Sequence, residues 1–516
     1  YKKPTCMLTQ IFGTAVFGID AQQITIEVHI HSGVGYHLVG FPDNAVKESN
    51  HRIAAAVMEC GFKLPGKRIT INMAPADLRK EGAAYDVPIA LGILVASGQV
   101  VPQALDKWII MGELSLDGSL QPVRGALPMA LQAKADGFKG VLVPAENGQE
   151  AAIVDGLEVH AFAHLNDLVL FLQSHHQNNL VTYDLSAQLD SIPKSILDFE
   201  DVKGQESIKR FMEVAAAGGH NIFLIGPPGA GKTMLAKRLP SILPPMSTAE
   251  ALETTKIHSV AGQMKGSGII HQRPFRSPHH TISDVALVGG GTYPQPGEIS
   301  LAHHGVLFLD ELPEFKRSVL EVMRQPLEDR EVTIARAKFT LTYPASFMLV
   351  ASMNPTPSGY FHDDKSSPGH SAAEMQRYLG KISGPLLDRI DLHVEVQPVP
   401  FEKLAQTPLA ESSADIRQRV IVARERQTQR FADMPHVHHN AEMNTKQIRK
   451  YCQLSKDSLT LLKTAMDRLR LSARAYDRIL KVARTIADLE GSDAIADAHI
   501  AEAIQYRSLD REGWLG

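Results

Sequence analysis

Hydrophobic positions in the first third of the chain change period several times, which favours strands separated by helices. Residues 24–30 alternate apolar and polar side chains, as a strand with one buried face does, and residues 68–73 do so more weakly. Between them, residues 44–60 place apolar side chains at helical spacing. We therefore predict an α+β domain over residues 1–173.

A polar stretch at residues 174–196 interrupts this pattern and predicts a linker. Three apolar runs bounded by glycine and proline follow it, at residues 221–225, 305–309 and 346–353. Such runs are typical of strands buried on both faces of a parallel sheet. The sequence therefore predicts an α/β domain over residues 197–400.

The last part of the chain, residues 401–516, has little strand pattern. Apolar residues recur there at helical spacing, for example over 461–469 and again over 479–487, which predicts an all-helical domain. Three domains agree with a length of 516 residues, since a domain averages about 150 residues. A hydrophobic fraction of 44% and a charged fraction of 21% exclude a disordered or fibrous chain.

Charge and cysteine content narrow the class of protein further. The net charge of −4 excludes nucleic-acid binding through bulk positive charge, so that any such binding needs local cationic patches. Cys6, Cys60 and Cys452 are too far apart for a disulfide framework or a paired metal site. The longest apolar stretch, residues 87–96, is shorter than the roughly 18 residues of a membrane helix, and the N-terminus lacks the apolar core of a signal peptide. We expect a cytoplasmic enzyme with no membrane partner.

The most specific motif is a Gly-x-x-x-x-Gly-Lys-Thr sequence that follows an apolar strand and precedes a helical stretch. Its glycines let backbone N–H groups surround phosphates, and the helix N-terminus favours their negative charge. We expect Lys232 to reach the β- and γ-phosphates of ATP and Thr233 to ligate Mg²⁺. The alternative, a chance glycine turn, is disfavoured by the flanking strand and helix. The predicted nucleotide-binding residues are Gly226, Pro227, Pro228, Gly229, Ala230, Gly231, Lys232, Thr233 and Met234.

A second acidic motif ends the apolar run at residues 306–309. Asp310 lies where it can hold Mg²⁺, and Glu311 can orient or deprotonate the attacking water. A surface turn is the alternative reading, and the phosphate-binding motif upstream disfavours it.

These motifs, together with Asn354 and Arg389, resemble those of AAA+ ATPases. Residues 273–283 and 296–313 resemble the magnesium-chelatase-like group more narrowly. With the N-terminal block included, nearly the whole chain is similar to the ComM (YifB) family of bacterial DNA helicases.

The resemblance implies roles for four further residues. Asn354 matches sensor 1, whose amide contacts the γ-phosphate or the attacking water. Arg389 matches the arginine finger that acts on the neighbouring subunit's site, which implies a homo-oligomeric ring, hexameric in similar proteins. Arg474 matches the sensor 2 arginine of a helical lid, with Arg478 as second choice. For each arginine alone, a solvated or ion-paired surface charge is the alternative.

Two elements resemble the pore elements of related motors. Residues 258–296 resemble a helix-2 insert. Residues 332–334 and 339–341 alternate as two strands of a β-hairpin, with Arg336 and Lys338 at its turn, and this resembles the pre-sensor-1 hairpin. Cations repeated around a ring would contact a DNA backbone without sequence preference. The alternative is that both residues only make the hairpin soluble.

The N-terminal block resembles the Lon-protease C-terminal fold, of the ribosomal S5 domain 2-like class, which raises the hypothesis of a Ser/Lys peptidase. Ala84 and Leu127 occupy the positions aligned to the nucleophile and the lysine, so we expect a binding or assembly module instead. The Cys-Pro-Cys sequence of many relatives is also absent after Asn354. Because His362, His370 and nearby acids are poor substitutes for thiolates, we predict no structural zinc.

The sequence therefore predicts an α/β AAA+ P-loop core with a helical lid, preceded by the α+β Lon-like domain. The resemblance implies an ATP- and Mg²⁺-dependent hexameric motor that promotes branch migration in homologous recombination, as in natural transformation. Its expected partners are single-stranded or branched DNA and recombination proteins. The alternatives are a chelatase-type motor or a protein-remodelling ATPase that works through partner subunits.

Overall fold

The computed structural model of the protein describes residues 8–174, 179–184, 197–264, 268–291, 294–336, 339–357, 372–399, 410–434, 437–469 and 471–507. By backbone proximity the chain divides into two compact units. The first contains residues 1–192 and 248–271, and the second contains residues 193–247 and 272–516. Among the described residues, every helix is too short or too polar to cross a membrane.

The strands fall into two main sheets and three small ribbons. They are β1 Leu8–Phe17, β2 Asp20–His31, β3 Gly35–Val39, β4 Arg68–Ala74, β5 Trp108–Ile110, β6 Glu113–Leu114, β7 Leu120–Gln121, β8 Gly140–Pro144, β9 Glu158–Phe162, β10 Ile222–Ile225, β11 Phe275–Arg276, β12 Gly289–Gly290, β13 Gln295–Pro296, β14 Val306–Leu309, β15 Glu331–Arg336, β16 Phe339–Pro344, β17 Met348–Met353 and β18 Leu392–Glu395.

The helices lie between these strands and dominate the C-terminal part of the chain. They are α1 Asn44–Glu59, α2 Asp86–Ala96, α3 Ala126–Ala135, α4 Gly148–Ala151, α5 Leu165–Ser174, α6 Glu206–Gly218, α7 Lys232–Ile242, α8 Thr248–Val260, α9 Asp284–Val288, α10 Glu298–Leu301, α11 Arg317–Val322, α12 Arg324–Asp329, α13 Ala372–Leu379, α14 Gly384–Leu387, α15 Ser413–Arg430, α16 Thr445–Tyr451, α17 Lys456–Leu469, α18 Ala473–Leu489 and α19 Asp497–Gln505.

The first unit contains a seven-stranded mixed sheet with the order β3-β4-β2-β1-β5-β8-β9. In β2 the buried and half-buried positions alternate, because one face packs on the core. Helix α2 is buried along residues 86–95, as expected of a helix that is apolar all round. The predicted strands at residues 24–30 and 68–73 and the helix at 44–60 are confirmed in this unit.

Helix α8 belongs to the first unit, although it follows α7 of the second unit in sequence. The Gly125 N–H donates to the Ser259 carbonyl oxygen at 3.1 Å. The Ser259 hydroxyl donates to the carboxylate of Glu150, which also accepts from the Leu127 N–H at 2.9 Å. Residues 248–271, which lie within the range 197–400 predicted for the ATPase core, thus group with the first unit by backbone proximity.

The second unit is built on a parallel five-stranded sheet with the order β11-β14-β17-β10-β18. Every side chain of β10, β14 and β17 is buried. This confirms the prediction, from the three apolar runs, of strands covered on both faces. Because the sheet is parallel, the carboxyl ends of the three strands lie at one edge, where the polar motifs begin.

The C-terminal helices complete the core of this unit. Helix α18 begins at the N-cap Ser472, whose side chain accepts from the Ala475 N–H. Its apolar side chains at Ile479, Ala483 and Ile486 are fully buried in the same core as Ile222. The described helices between residues 413 and 505 agree with the all-helical prediction.

Candidate functional site

The loop predicted to bind phosphate connects β10 to α7 at the carboxyl edge of the parallel sheet. Gly229 and Gly231 have φ values of +78° and +91°, a region that disfavours side chains. A Cβ atom on Gly226 would lie 2.2 Å from the Val396 carbonyl oxygen, so this position requires close backbone approach. Helix α7 begins at Lys232, directly after the loop. The loop and the helix N-terminus together have the geometry of an anion site.

Lys232 is folded inside the loop. Its Nζ donates to the carbonyl oxygens of Gly226 at 2.6 Å and Pro227 at 3.0 Å, and to Asn354 Oδ1 at 3.1 Å. Burial lowers the pKa of Lys232, while the nearby carboxylates of Asp310 and Glu311 act in the opposite direction. The ammonium group is thus held at the loop with the sensor 1 candidate, and a phosphate would be a stronger partner than these carbonyls.

Thr233 and Asp310 meet across the site. The Thr233 hydroxyl donates to Asp310 Oδ2 at 2.7 Å. The other oxygen of Asp310 accepts from the Ser352 hydroxyl and from the Glu311 N–H at 3.1 Å. Hydroxyl and carboxylate oxygens are the donors that Mg²⁺ prefers, so Thr233 and Asp310 fit the predicted metal ligands.

Glu311 follows Asp310 with a largely exposed side chain. Its backbone has a φ of +55°, and its side chain is 55% exposed. His280 Nδ1 lies 3.9 Å from a Glu311 carboxylate oxygen, and the His279 and His280 rings are 4.1 Å apart. An exposed carboxylate beside the metal-ligand candidate is where a group that orients water belongs.

Two residues that contact the site, Ser352 and Gln205, are not predicted from the sequence. Ser352 is fully buried, and its hydroxyl reaches Asp310. Gln205 Nε2 donates to the carbonyl oxygens of Ala230 at 3.1 Å and Gln397 at 3.2 Å. A serine inside the apolar strand β17 was the available signal for the first, whereas nothing in the local sequence marked Gln205.

Arg389 lies in the turn between α14 and β18. Its Nη1 donates to the Pro385 carbonyl oxygen at 2.6 Å, and its Nη2 pairs with Glu328. These partners do not belong to the phosphate-binding loop or to the Asp310–Glu311 pair of the same chain. Its Nε is buried with no hydrogen-bond partner among the described residues.

Arg474 and Arg478, the two candidates for sensor 2, differ in accessibility. Arg474 has a side chain that is 65% exposed and pairs with Asp388 at 2.9 Å. Arg478 is only 20% exposed and pairs with the buried Asp391. The freer of the two is thus Arg474, the first choice for sensor 2.

Several predicted residues are only partly placed or lie outside the described residues. The hairpin of β15 and β16 is present, and the backbone of Arg336 ends β15. Lys338 lies outside the described residues, as do His362 and His370 of the zinc prediction. Met234 packs against the core of the second unit.

The positions aligned to a peptidase dyad hold no reactive side chain. Ala84 accepts a backbone hydrogen bond from Gly112 at 2.9 Å, and Leu127 is fully buried. A buried lysine does occur in this unit at Lys80, where burial lowers the pKa, but its Nζ donates to the Pro75 carbonyl oxygen.

Three family models match the chain. The description "magnesium chelatase, subunit ChlI" matches residues 198–404, "subunit ChlI of Mg-chelatase" matches residues 26–147, and the C-terminal model of the same subunit matches residues 410–507.

Individual relatives extend over the whole chain. The competence protein ComM of Haemophilus influenzae is 44% identical, covering 98% of each chain, and YifB of Escherichia coli is 43% identical, also covering 98% of each. The 38 kDa subunit of magnesium chelatase from Acidiphilium rubrum is 22% identical over 59% of this chain and 88% of its own. Similarity of this extent, on a P-loop α/β core, establishes that the chain belongs to the ComM/YifB family of magnesium-chelatase-like AAA+ proteins.

Proposed function

We propose that the protein is a cytoplasmic, ATP-hydrolysing ring motor that moves DNA and drives branch migration during homologous recombination. The observation that supports ATP hydrolysis is the meeting of Lys232, Thr233 and Asp310 at the N-terminus of α7. Lys232 and Thr233 begin α7 and Asp310 follows β14, and together they offer a phosphate cradle and a set of metal ligands.

The chemistry assigned to the site is attack of water on a γ-phosphate. Mg²⁺ bound with ATP supplies charge stabilisation at the phosphate oxygens. Lys232 binds the phosphates, Thr233 and Asp310 hold the metal, and Ser352 fixes the orientation of Asp310. The exposed Glu311 orients the water and accepts its proton, while Asn354 contacts the γ-phosphate or the water.

The ring assignment rests on Arg389 and Arg474. Arg389 bonds to the Pro385 carbonyl oxygen and to Glu328, which lie outside its own nucleotide site. We propose that it leaves Glu328 to serve the site of a neighbouring subunit. A contact of this head-to-tail kind closes into a ring, for which we propose six subunits. The accessible Arg474 serves the subunit's own site as sensor 2.

The DNA assignment draws on the relative named as a competence protein and on the hairpin of β15 and β16. We propose that Arg336 and Lys338, at the hairpin turn, contact DNA phosphates inside the ring. Such contacts would be independent of sequence and would weaken as salt rises.

The experiment compares the Mg²⁺-dependent ATPase rate without DNA and with single-stranded, duplex and four-way-junction DNA. Lys232→Ala is the blank, and a labelled synthetic junction measures branch migration in parallel. We expect the greatest stimulation with branched or single-stranded DNA, and ATP-dependent junction resolution. An ATPase that no DNA stimulates in low salt would remove the DNA motor and leave the ATPase.

A chelatase-type motor is the second candidate, because the matching family models carry the description of a magnesium chelatase subunit. A motor of this type predicts an ATPase rate that DNA does not change and a metal-insertion activity that appears only with partner subunits. A remodelling ATPase would instead be stimulated by protein substrates. The same ATPase measurement, with an unfolded protein as a further addition, separates all three.

A further inference from the structure

The turn that contains Arg389 is flanked by two carboxylates. Asp388 directly precedes Arg389, and Asp391 follows two residues after it, directly before β18. Both carboxylates are bound by arginines of the same helix, α18. Arg474 pairs with Asp388 at 2.9 Å, and Arg478 pairs with Asp391.

The two arginines are four residues apart, so they project from one face of α18. Arg474 is the residue proposed to contact the nucleotide of its own subunit, and Arg389 is the residue proposed to reach the neighbour's nucleotide. The helix that responds to one site is therefore joined, at two points, to the turn that serves the other.

The two ion pairs, Arg474–Asp388 and Arg478–Asp391, differ in strength. Asp391 is buried and, besides Arg478, lies 3.5 Å from His220 Nδ1 and accepts from the Asn221 N–H at 3.1 Å. Although burial alone would raise it, the cationic partners hold the pKa of Asp391 well below its usual range. The Arg478–Asp391 pair is therefore a fixed anchor between α18 and the turn.

The Arg474–Asp388 ion pair is solvent-exposed, with 65% of the Arg474 side chain and 34% of the Asp388 side chain accessible. Exposed ion pairs of this kind are weak, and a triphosphate is a stronger partner for a guanidinium than one solvated carboxylate. An arginine that moves to a phosphate must release Asp388, whereas the Arg478–Asp391 anchor stays in place.

We propose that Asp388 is a positioning residue that couples the two nucleotide sites: it holds Arg474 and the Arg389 turn together until ATP takes Arg474. The turn then stays attached to α18 through the Asp391 anchor, and Arg389 exchanges its Glu328 partner for the nucleotide of the neighbouring subunit. This inference rests on the proposed function, because it uses Arg389 and Arg474 in the roles proposed above.

The test is Asp388→Asn in the full-length protein, assayed for ATP affinity, for ATPase rate against ATP concentration and for branch migration. The variant removes the charge that competes for Arg474, so ATP affinity is retained or increases. The Hill coefficient falls from the wild-type value toward about 1, and junctions resolved per ATP hydrolysed decline. A merely structural role would weaken ATP binding and leave the cooperativity of the remaining activity unchanged.

Two further variants make the comparison specific. Asp388→Glu keeps a carboxylate within reach of Arg474 and restores cooperativity. The matched control is Asp493→Asn, which removes a similar exposed pair with Arg426 at 3.2 Å elsewhere on the helical part and leaves the Hill coefficient at the wild-type value.

The outcomes distinguish a failure of the proposed Asp388 coupling from a failure of the proposed function. Wild-type cooperativity in Asp388→Asn, or a wild-type ring that shows no cooperativity, overturns the coupling. An Arg389→Ala variant that hydrolyses ATP at the wild-type rate overturns the proposed trans-acting arginine instead. Asp391→Asn tests the anchor: we expect about a tenfold or greater loss of ATPase rate with ATP affinity retained, since the finger is misplaced. Its melting curve shows whether it folds, and if it does not, the Asp388 series decides.

Discussion

Thr233 and Asp310 are 2.7 Å apart at the hydroxyl and carboxylate oxygens, although they belong to different motifs of the chain. Thr233 is the second residue of α7, and Asp310 follows β14 directly. Strand β17 lies between β14 and β10 in the sheet, and its Ser352 binds the second oxygen of Asp310. The middle strand thus orients the ligand at the end of its neighbour, a contact of the kind that tunes metal affinity.

Ser352→Ala should therefore weaken magnesium use without damaging the fold. The hydroxyl that fixes Asp310 is lost, and second-sphere substitutions of this kind typically cost about 10- to 100-fold in metal affinity or activity. The measurement is the ATPase rate against Mg²⁺ at saturating ATP, where we expect the midpoint to rise by roughly that factor.

Nucleotide binding without Mg²⁺ should remain close to the wild-type value in Ser352→Ala. Ser352→Thr keeps a hydroxyl and is the control. An unchanged Mg²⁺ midpoint in the alanine variant would show that the contact with Asp310 has no part in metal binding.

Lys232→Ala and Glu311→Gln should separate binding from hydrolysis. Lys232 binds inside the loop, so its removal should abolish nucleotide binding in a fluorescent-nucleotide titration. Glu311→Gln keeps the shape of an exposed side chain but not its basicity, so it should bind ATP and stall, with a loss of rate of about 10²-fold or more. A Glu311→Gln enzyme that turns over at the parent rate would mean that another group is the base.

Much of the site could be predicted because its parts are local in sequence. The motif at residues 226–233 and the acids at 310–311 follow apolar strands, and a parallel sheet brings the carboxyl ends of its strands to one edge. The hairpin strands at residues 332–334 and 339–341 could also be predicted, because apolar and polar side chains alternate along each of them, and they lie within β15 and β16.

The contacts that could not be predicted from the sequence join residues that are far apart along the chain. Gln205 acts on a loop 25 residues away, and Ser352 on an acid 42 residues away. The burial difference that separates Arg474 from Arg478 comes from the partner each finds, and both partners lie more than 80 residues upstream. The placement of α8 in the first unit likewise depends on Ser259 reaching Glu150, which no local pattern signals.

His220 should make the second unit sensitive to acid. It is fully buried, and its Nε2 lies 2.8 Å from the Thr485 hydroxyl. Burial lowers the pKa of His220, and the neighbouring Asp391 offsets this only in part. Because the folded pKa lies below the unfolded value of 6.5, the neutral ring's contribution to stability is full above that pH and is lost as the pH falls toward the folded pKa.

The measurement is urea unfolding of the wild type and of His220→Gln at about pH 8 and pH 5.5, on either side of the usual pKa of histidine. The glutamine variant loses a buried contact and should be less stable by about 1–3 kcal/mol at the higher pH. This difference should narrow at the lower pH, because only the wild type must then charge or hold a buried histidine. The exposed His438→Gln should follow the wild type at both pH values. A His220→Gln difference that stays constant with pH would refute the assignment.

Arg336 and Lys338 should dominate the salt dependence of DNA binding. Arg336 ends β15, and Lys338 comes two residues later in the sequence. Two cations per subunit would release counterions from a DNA backbone threading a ring. We expect the double variant Arg336→Ala/Lys338→Ala to bind single-stranded DNA more weakly, with a shallower slope of log affinity against log salt. The stimulation of ATPase by DNA should fall in parallel. The control is Lys463→Ala, an exposed cation on α17, which should keep the parent slope. If the hairpin variant kept the same affinity and slope from about 50 to 200 mM salt, a range over which phosphate contacts are strongly weakened, the hairpin would not be the DNA-binding element.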